Sequence, residues 1–339
     1  MATLYDTHTL ARVLEAKVQT PRTFLLEKFY PSVMTFDTET VDLDIITRGA
    51  KLAPFVHEDA PGRPVTTGGY VTKLFKPLPM KMNDAVNPAK AMKRRAGERY
   101  AGEVTPADRL EALTVDKIAE QRKAWLRRLE WFAATMLRDA ALTIATEDLG
   151  DAVLDLGRDA GLKVTLAGAN RWGQAGVSPV DNLEAWLTLV LSKSGVFPTD
   201  VVFGTEAWKL FRVDPKFDKF LDRNLGRSDT VEIAPVDVSM GALMGRVGNT
   251  NIWVYQQTYE DDAGNAQKFI DDYDVILASQ AIEGIRAFGA VPTESTIVSI
   301  DLYQTVYTDN NPPRRFAYTE SRGIVVMGRP NASARFKVQ

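Results

Sequence analysis

Residues 105–145 read TPADRLEALTVDKIAEQRKAWLRRLEWFAATMLRDAALTIA, and the fold turns on this stretch. Thr105 offers a hydroxyl at the N-cap, Pro106 fits the first helical position, and Asp108 lies three residues after the cap. Neither glycine nor a further proline follows up to Ala145. Ile118, Trp125, Leu129, Phe132 and Met136 fall on one helical face, while Lys117, Arg122, Lys123, Arg127, Arg128 and Arg138 lie largely off it. The pattern predicts one helix of about 40 residues, roughly 60 Å long. A compact chain of 339 residues has a radius of gyration of only about 20 Å. The helix must therefore cross the molecule as a spine, with one face left polar.

Upstream of the spine the chain does not read as core. Pro54, Pro61, Pro64, Pro77, Pro79 and Pro88, with Gly62, Gly68 and Gly69 among them, break any helix. So long a stretch without core elements is uncommon in a compact domain and usually functional. A projecting loop or two-stranded arm is expected, extended from Gly69 to Phe75. The first 50 residues read as an arm: a short helix over residues 9–18 stopped by Pro21, then aromatics at Phe24, Phe29, Tyr30 and Phe36. Val41-Asp42-Leu43-Asp44-Ile45 alternates with a period of two and reads as a strand. Exposed on a monomer, such rings invite aggregation; docked on a neighbour, they are anchors.

Downstream, strands are expected at residues 153–157, 162–166, 200–203, 231–233, 252–258 and 275–278. Asp181 is expected to cap a helix running to Ser192 and ending near Gly195, and Thr205 to cap another carrying Trp208 and Phe211. A further helical piece is expected over residues 215–223. Asp262-Ala263-Gly264-Asn265 reads as a hairpin turn. The C-terminal part alternates from Ile297 to Gln304, turns at Asn310-Asn311-Pro312-Pro313, and ends in strands at residues 324–327 and 335–338. The class is α+β.

Composition narrows the function. Lys and Arg number 41 against 44 Asp and Glu, a net charge of −3, which argues against a protein dedicated to holding nucleic acid. There is no cysteine, so disulfides, thiolate metal sites and cysteine nucleophiles are impossible. No apolar run of about 18 residues suggests a membrane span, and the N-terminus lacks the pattern of a secretory signal; a soluble chain is expected. His8 and His57 stand alone, without a motif for a base or ligand. Glu260, Asp261, Asp262, Asp271, Asp272 and Asp274 lack the spacing of a calcium loop and read as a solvated turn cluster. Gly168, Gly173 and Gly176 are interrupted by Trp172 and Pro179 and make no dinucleotide fingerprint. Lys90, Lys93, Arg94, Arg95 and Arg99 could touch phosphate, but read more simply as a solvated or intersubunit surface. The tryptophans at 125, 131, 186, 208 and 253 read as core. No catalytic, cofactor-binding or metal site is expected, and the chain does not read as an enzyme.

The order of parts resembles the lambda-type tailed-phage major capsid proteins, the protein E family. Phe24-Leu25 with Phe29-Tyr30, Gly69-Tyr70-Val71, Lys76-Pro77 and Asn87-Pro88 come first. Asp155-Leu156-Gly157-Arg158, Asp181 to Ala185, Ser194-Gly195, Val201-Val202-Phe203 and Trp208-Lys209-Leu210-Phe211 follow in that family's order. Ile252 to Tyr255, Tyr259 to Gly264 and Ile285-Arg286-Ala287-Phe288-Gly289 complete the series, which spans nearly the whole chain. Residues 145–178 match poorly beyond the Asp-Leu-Gly-Arg strand.

The resemblance implies the Hong Kong 97-like phage capsid fold. Residues 1–48 would be the N-terminal arm, 49–103 the E-loop, 104–164 the P-domain with its spine helix, 165–290 the A-domain, and 291–339 the returning P-domain strands. It implies a subunit that self-assembles into hexamers and pentamers of an icosahedral head around double-stranded DNA. The head would be assembled in the host cytoplasm, with weak non-specific DNA contact and with scaffold, portal and decoration proteins as possible partners. An encapsulin-like protein compartment of the same fold, and a soluble α+β enzyme, are the other readings. On this view Phe24, Phe29, Tyr30, Tyr70 and Phe75 are intersubunit contacts, and deleting residues 56–88 should leave a folded subunit unable to form shells.

Overall fold

The spine exists and is shorter than expected. In the computed structural model it spans Pro106–Asp139, 34 residues, or about 51 Å at 1.5 Å per residue. The structure describes residues 23–38, 40–46, 61, 70–92, 105–144, 152–217, 242–247, 249–261, 263–293, 297–311 and 313–339. The spine starts on a capping box: Thr105 Oγ1 accepts from the Asp108 N–H at 3.2 Å, and Asp108 Oδ2 accepts from the Thr105 N–H at 3.0 Å. It stops because Ala140 turns left-handed (φ 50°) and the β-branched Thr143 and Ile144 pair into a hairpin instead.

In chain order, helix α1 (Phe24–Phe29) leads into β1 (Ser32–Thr35), β2 (Val41–Ile46), β3 (Tyr70–Phe75), β4 (Met80–Val86) and the single turn α2 (Pro88–Ala91). The spine is α3 (Pro106–Asp139). Then come β5 (Ala141–Ile144), β6 (Ala152–Asp155), β7 (Lys163–Thr165), α4 (Pro179–Ser194), β8 (Asp200–Phe203) and α5 (Thr205–Arg212). They are followed by β9 (Ala242–Val247), β10 (Thr250–Val254), β11 (Thr258–Glu260), β12 (Ala266–Lys268), β13 (Asp274–Ala278) and β14 (Gly284–Phe288). The chain closes with β15 (Val291–Pro292), β16 (Ile297–Val298), β17 (Tyr303–Asn310), β18 (Pro313–Ser321), β19 (Gly323–Met327) and β20 (Ala334–Lys337).

Two small sheets lie along the spine. The sheet β17-β18-β4 is pinned to it by Gln121, whose amide donates to Asp84 Oδ2 (2.8 Å) and the Ala317 carbonyl (3.0 Å) and accepts from Thr319 Oγ1 (2.7 Å). The sheet β1-β14-β19 packs Phe288 and Ile324 into the same core as Leu129 and Phe132. A third sheet, ordered β7-β20-β13-β8-β10-β9, divides two cores. Ile276 and Ala278 of β13 belong to the core around the spine, Val275 and Leu277 to the core with α4 and α5, as a strand's alternating faces require. Trp186 stacks on Phe336 at 4.1 Å in that second core, and Trp172 on Trp186 at 5.7 Å.

Several expectations are corrected. The last strand, β20, lies between β7 and β13 in the large sheet, where Phe336 is buried in the second core. The boundary after residue 164 falls inside β7. Ser178 caps α4, with Asp181 at the third helical position, because Pro179 fills the first. Gly204 stands at the N-cap of α5 in place of Thr205, since any Cβ there would meet the Asp271 carbonyl at 2.1 Å. The alternation at residues 297–304 is interrupted between β16 and β17. The helix over residues 9–18 and the strand at 231–233 lie outside the described residues, as do His8 and His57.

The end of the spine is closed by a distant residue. Arg158 donates to the carbonyls of Arg138 (3.0 Å), Leu137 (2.9 Å) and Met136 (3.3 Å), and also to Ser333 Oγ (2.6 Å) and Pro330 O (3.2 Å). It donates to the carbonyls of Leu137 and Arg138 in the last turn, and shares that of Met136 with the Ala140 N–H, at a helix end where the dipole favours a cation. Burial pushes its pKa down to about 10, against the pull of Tyr30 and Asp139. Arg158→Ala should destabilise the subunit by about 3 kcal/mol in chemical denaturation. Arg158→Lys should fail to restore it, because one ammonium cannot span three carbonyls.

Candidate intersubunit surface

What a shell subunit offers its neighbours is whatever its own core does not consume, so the first question is where the aromatic segment goes. It goes inside. Leu25, Leu26, Phe29 and Tyr30 are fully buried in this chain's own core. Phe24 is half-buried, 4.9 Å from the Trp253 ring and 5.9 Å from that of Tyr255. Phe29 and Tyr30, expected as intersubunit contacts, thus have their side chains within this chain's own core. Phe75 is likewise buried, at the base of the β2–β3 hairpin opposite Val41. Only the backbone of Tyr70 is described, and it pairs with Ile46 at the far end of that hairpin.

α1 is seated by two buried carboxylates. Glu130, in the middle of the spine, accepts from the backbone N–H groups of Leu25 (2.9 Å) and Leu26 (3.0 Å) and from the Tyr255 hydroxyl (2.7 Å). It thus satisfies N–H groups that α1 cannot pair internally. Burial pushes its pKa up, and these three donors offset that only in part. Asp200 pairs with Lys28 Nζ at 2.9 Å and accepts from Thr199, Trp253 and Asn251. Burial would raise its pKa, but these donors outweigh it and hold the carboxyl low. Lys28 also lies 4.4 Å above the Trp253 ring. Gly284 completes the seat, since a Cβ there would stand 2.1 Å from the Phe29 carbonyl.

The surface left over is different from the one expected. Among the described residues β2 and β3 pair only with each other, and Leu74 on that hairpin is 71% exposed. Lys73 donates to the Asp155 carbonyl at the end of β6, which sets the exposed Val153 on the neighbouring hairpin. β1 is an edge strand with every side chain exposed, Val33 and Met34 by about half. The outer end of the β17–β18 hairpin carries exposed Asp309, Asn310, Asn311 and Arg314, with Tyr307 stacked on Phe316 at 5.1 Å. These are open edges and apolar side chains of the kind partners cover.

The cavities do not read as an active site. A groove of about 310 Å³ under the base of the β2–β3 hairpin is lined by Phe75, Pro77, Pro79, Phe132 and Ile324, with Arg128 also at its wall. A cleft of about 660 Å³ faces Arg127, Arg128 and Trp131 with Tyr259, Glu260 and Asp261. Neither brings a nucleophile and a base together. Among the described residues, no group of three or more His, Asp or Glu is placed to hold a metal ion. The acidic cluster is consumed locally: Asp261 accepts from the N–H groups of Ala263 and Asn265, Asp272 pairs with Lys268, and Asp274 with Arg335. Of the basic run, Lys90 has only its backbone described, and Lys93, Arg94, Arg95 and Arg99 lie outside the described residues.

Glu130, Asp200 and Gln121 carried no role in the sequence analysis, and Arg158 entered it only as the end of the Asp-Leu-Gly-Arg motif. For Glu130 a signal existed. Its helical neighbours at i−4, i+4 and i+7 are Leu126, Ala134 and Leu137, so a carboxylate stands alone in an apolar stripe. Gly284→Ala should displace α1 and destabilise the subunit by about 1–3 kcal/mol, read by thermal unfolding, whereas Leu74→Ser should shift stability by no more than about 0.5 kcal/mol.

The comparisons agree with this architecture. The major capsid protein of Enterobacteria phage phi80 is 26% identical over 346 residues, covering 99% of each chain. That of Enterobacteria phage P21 is 24% identical over 337 residues, covering 97% of each. The crystal structure of a putative capsid protein of an Escherichia coli CFT073 prophage superposes with a TM-score of 0.76 at 20% identity, covering 99% of this chain and 100% of that one. With the family model matched across residues 6–338, the chain belongs to the family described as Phage major capsid protein E.

Proposed function

We propose that this chain is the shell-forming subunit of a tailed-phage head, assembling into hexamers and pentamers around double-stranded DNA. The observation that carries the reading is the β2–β3 hairpin: six residue pairs of ladder that no other strand joins. An isolated two-stranded ribbon is marginal in water, so its place is against another copy. Of the expected contacts, Phe24 is only half-buried and Tyr70 stands at the far end of β3, and both keep an intersubunit role in this reading. β1 and the β17–β18 tip supply further contacts, and many modest interfaces repeated by symmetry make a closed shell stable.

A virion component of net charge −3 fits a wall that confines DNA without gripping it, so DNA contact is weak and salt-sensitive. Assembly takes place in the host cytoplasm, with portal, scaffold and decoration proteins as further partners, and the subunit carries no catalytic step. The family match favours a phage head over a protein-packaging compartment, and nuclease-protected DNA in purified particles separates the two.

The deletion of residues 56–88 is not the right test, because it removes β4, which pairs with β18 through seven residues and packs on the spine. Replacing residues 47–69 by an Asn-Gly turn respects the ladder, since Ile46 and Tyr70 are already partners. The expected result is a folded subunit, with a far-ultraviolet spectrum and thermal transition close to those of the parent, that gives no closed shells by electron microscopy. Normal shells from that variant would refute an intersubunit role for residues 47–69, and a parent chain that gives no shells would refute the reading.

A further inference from the structure

Glu130 is buried without a cation. Among the described residues, Lys28 is taken by Asp200 and Arg158 by the carbonyls that end the spine. The titratable groups that face Glu130 are Glu27 on α1, Tyr255 after β10 and Tyr30 after α1, with Arg158 beyond Tyr30. None of these supplies a direct counter-charge, and the Glu27 charge opposes ionisation. An ionised carboxylate here rests on three neutral donors alone, a costly arrangement in a dry interior.

The hydrogen-bond pattern offers a second state. The Tyr255 hydroxyl lies 2.7 Å from Glu130 Oε1 and 2.9 Å from Gln257 Oε1. A hydroxyl has one proton and cannot donate to both. If Glu130 is neutral, its proton goes to Tyr255 Oη and the Tyr255 proton goes to Gln257 Oε1, so each short contact has a donor. The carboxyl oxygens still accept from Leu25 and Leu26. If Glu130 is ionised, Tyr255 donates to it, and the Gln257 side chain must turn its amide to face the hydroxyl.

We propose that Glu130 is a proton-operated latch: its neutral carboxyl holds residues 23–30 in the cleft between the spine and the large sheet, and its ionised form loosens them. Burial raises the Glu130 pKa in the docked state, whereas undocking returns the group to water and its ordinary value. Docking therefore takes up a proton. It is strongest below the ordinary carboxylate range and weakens as pH rises through the window up to the docked value. The Lys28–Asp200 pair carries the opposite sign: its depressed carboxyl loses its contribution as pH falls.

Hydrogen exchange of the full-length subunit at pH 5 and pH 8, corrected for intrinsic rates, tests this. Peptides covering residues 23–30 are compared with the core strand Asp274–Ala278. The opening of 23–30 should increase at least about threefold relative to the reference at the higher pH, with a limit of about tenfold per pH unit for one proton. Glu130→Gln should make that ratio independent of pH. Lys28→Met should loosen the helix at both values and leave the rise intact, which keeps the test decisive if Glu130→Gln does not fold. A flat ratio in the parent, tighter docking at pH 8, or an undiminished rise in Glu130→Gln would overturn the proposal.

Discussion

The structure depends on one buried polar contact, the Glu130 carboxyl against the unpaired N–H groups of α1. A six-residue helix cannot hold itself together in water, because nucleation costs more than so few bonds return. α1 persists because a side chain 105 residues away takes its first amides and because Leu25, Leu26 and Phe29 drop into a core already formed by the spine. The same carboxyl holds Tyr255, which follows the fifth strand of the large sheet. Three parts of the chain meet at one pair of oxygens, and none can move without leaving a buried polar group unsatisfied.

From that joint the division of labour follows. The inner strands β8 and β13 of the large sheet bury both faces, one against the spine and one against α4 and α5, whereas the edge strand β9 leaves Leu243 and Met244 exposed. The spine is closed at one end by its own capping box and at the other by Arg158, which fixes its length within the body. What remains outside is a set of narrow hairpins and one edge strand. Each leaves at least one backbone edge without a neighbouring strand among the described residues, and this suits a protein that completes itself by lattice closure.

Much of the fold was legible because it is local. Thr105, Pro106 and Asp108 announce the spine, and the apolar seam from Ile118 to Met136 sets its buried face. Gly195 ends α4 in the left-handed conformation expected of a C-terminal glycine, and the turns at Asp261 to Asn265 and around Asn311 are where their residues predict. β4 was hidden: Met80, Met82 and Val86 alternate with Lys81, Asn83 and Ala85, but Pro77, Pro79 and Pro88 frame the stretch like a loop. The burial of the aromatic segment was not legible, for a physical reason. Phe29 and Tyr30 look like anchors on any surface, and only Glu130, Asp200 and Gly284, far away in sequence, reveal that the receiving surface belongs to the same chain. Long-range pairing of this kind leaves little local trace, apart from a carboxylate standing in an apolar stripe.

A cryo-electron-microscopy reconstruction of the assembled shell tests the central claim most directly, because chain connectivity assigns each helix to its subunit. The account requires α1 of every subunit to lie against Glu130 of that same subunit, with the β2–β3 hairpin crossing onto a neighbour. Density carrying α1 into an adjacent subunit's cleft, or a hairpin folded back on its own body, would contradict it.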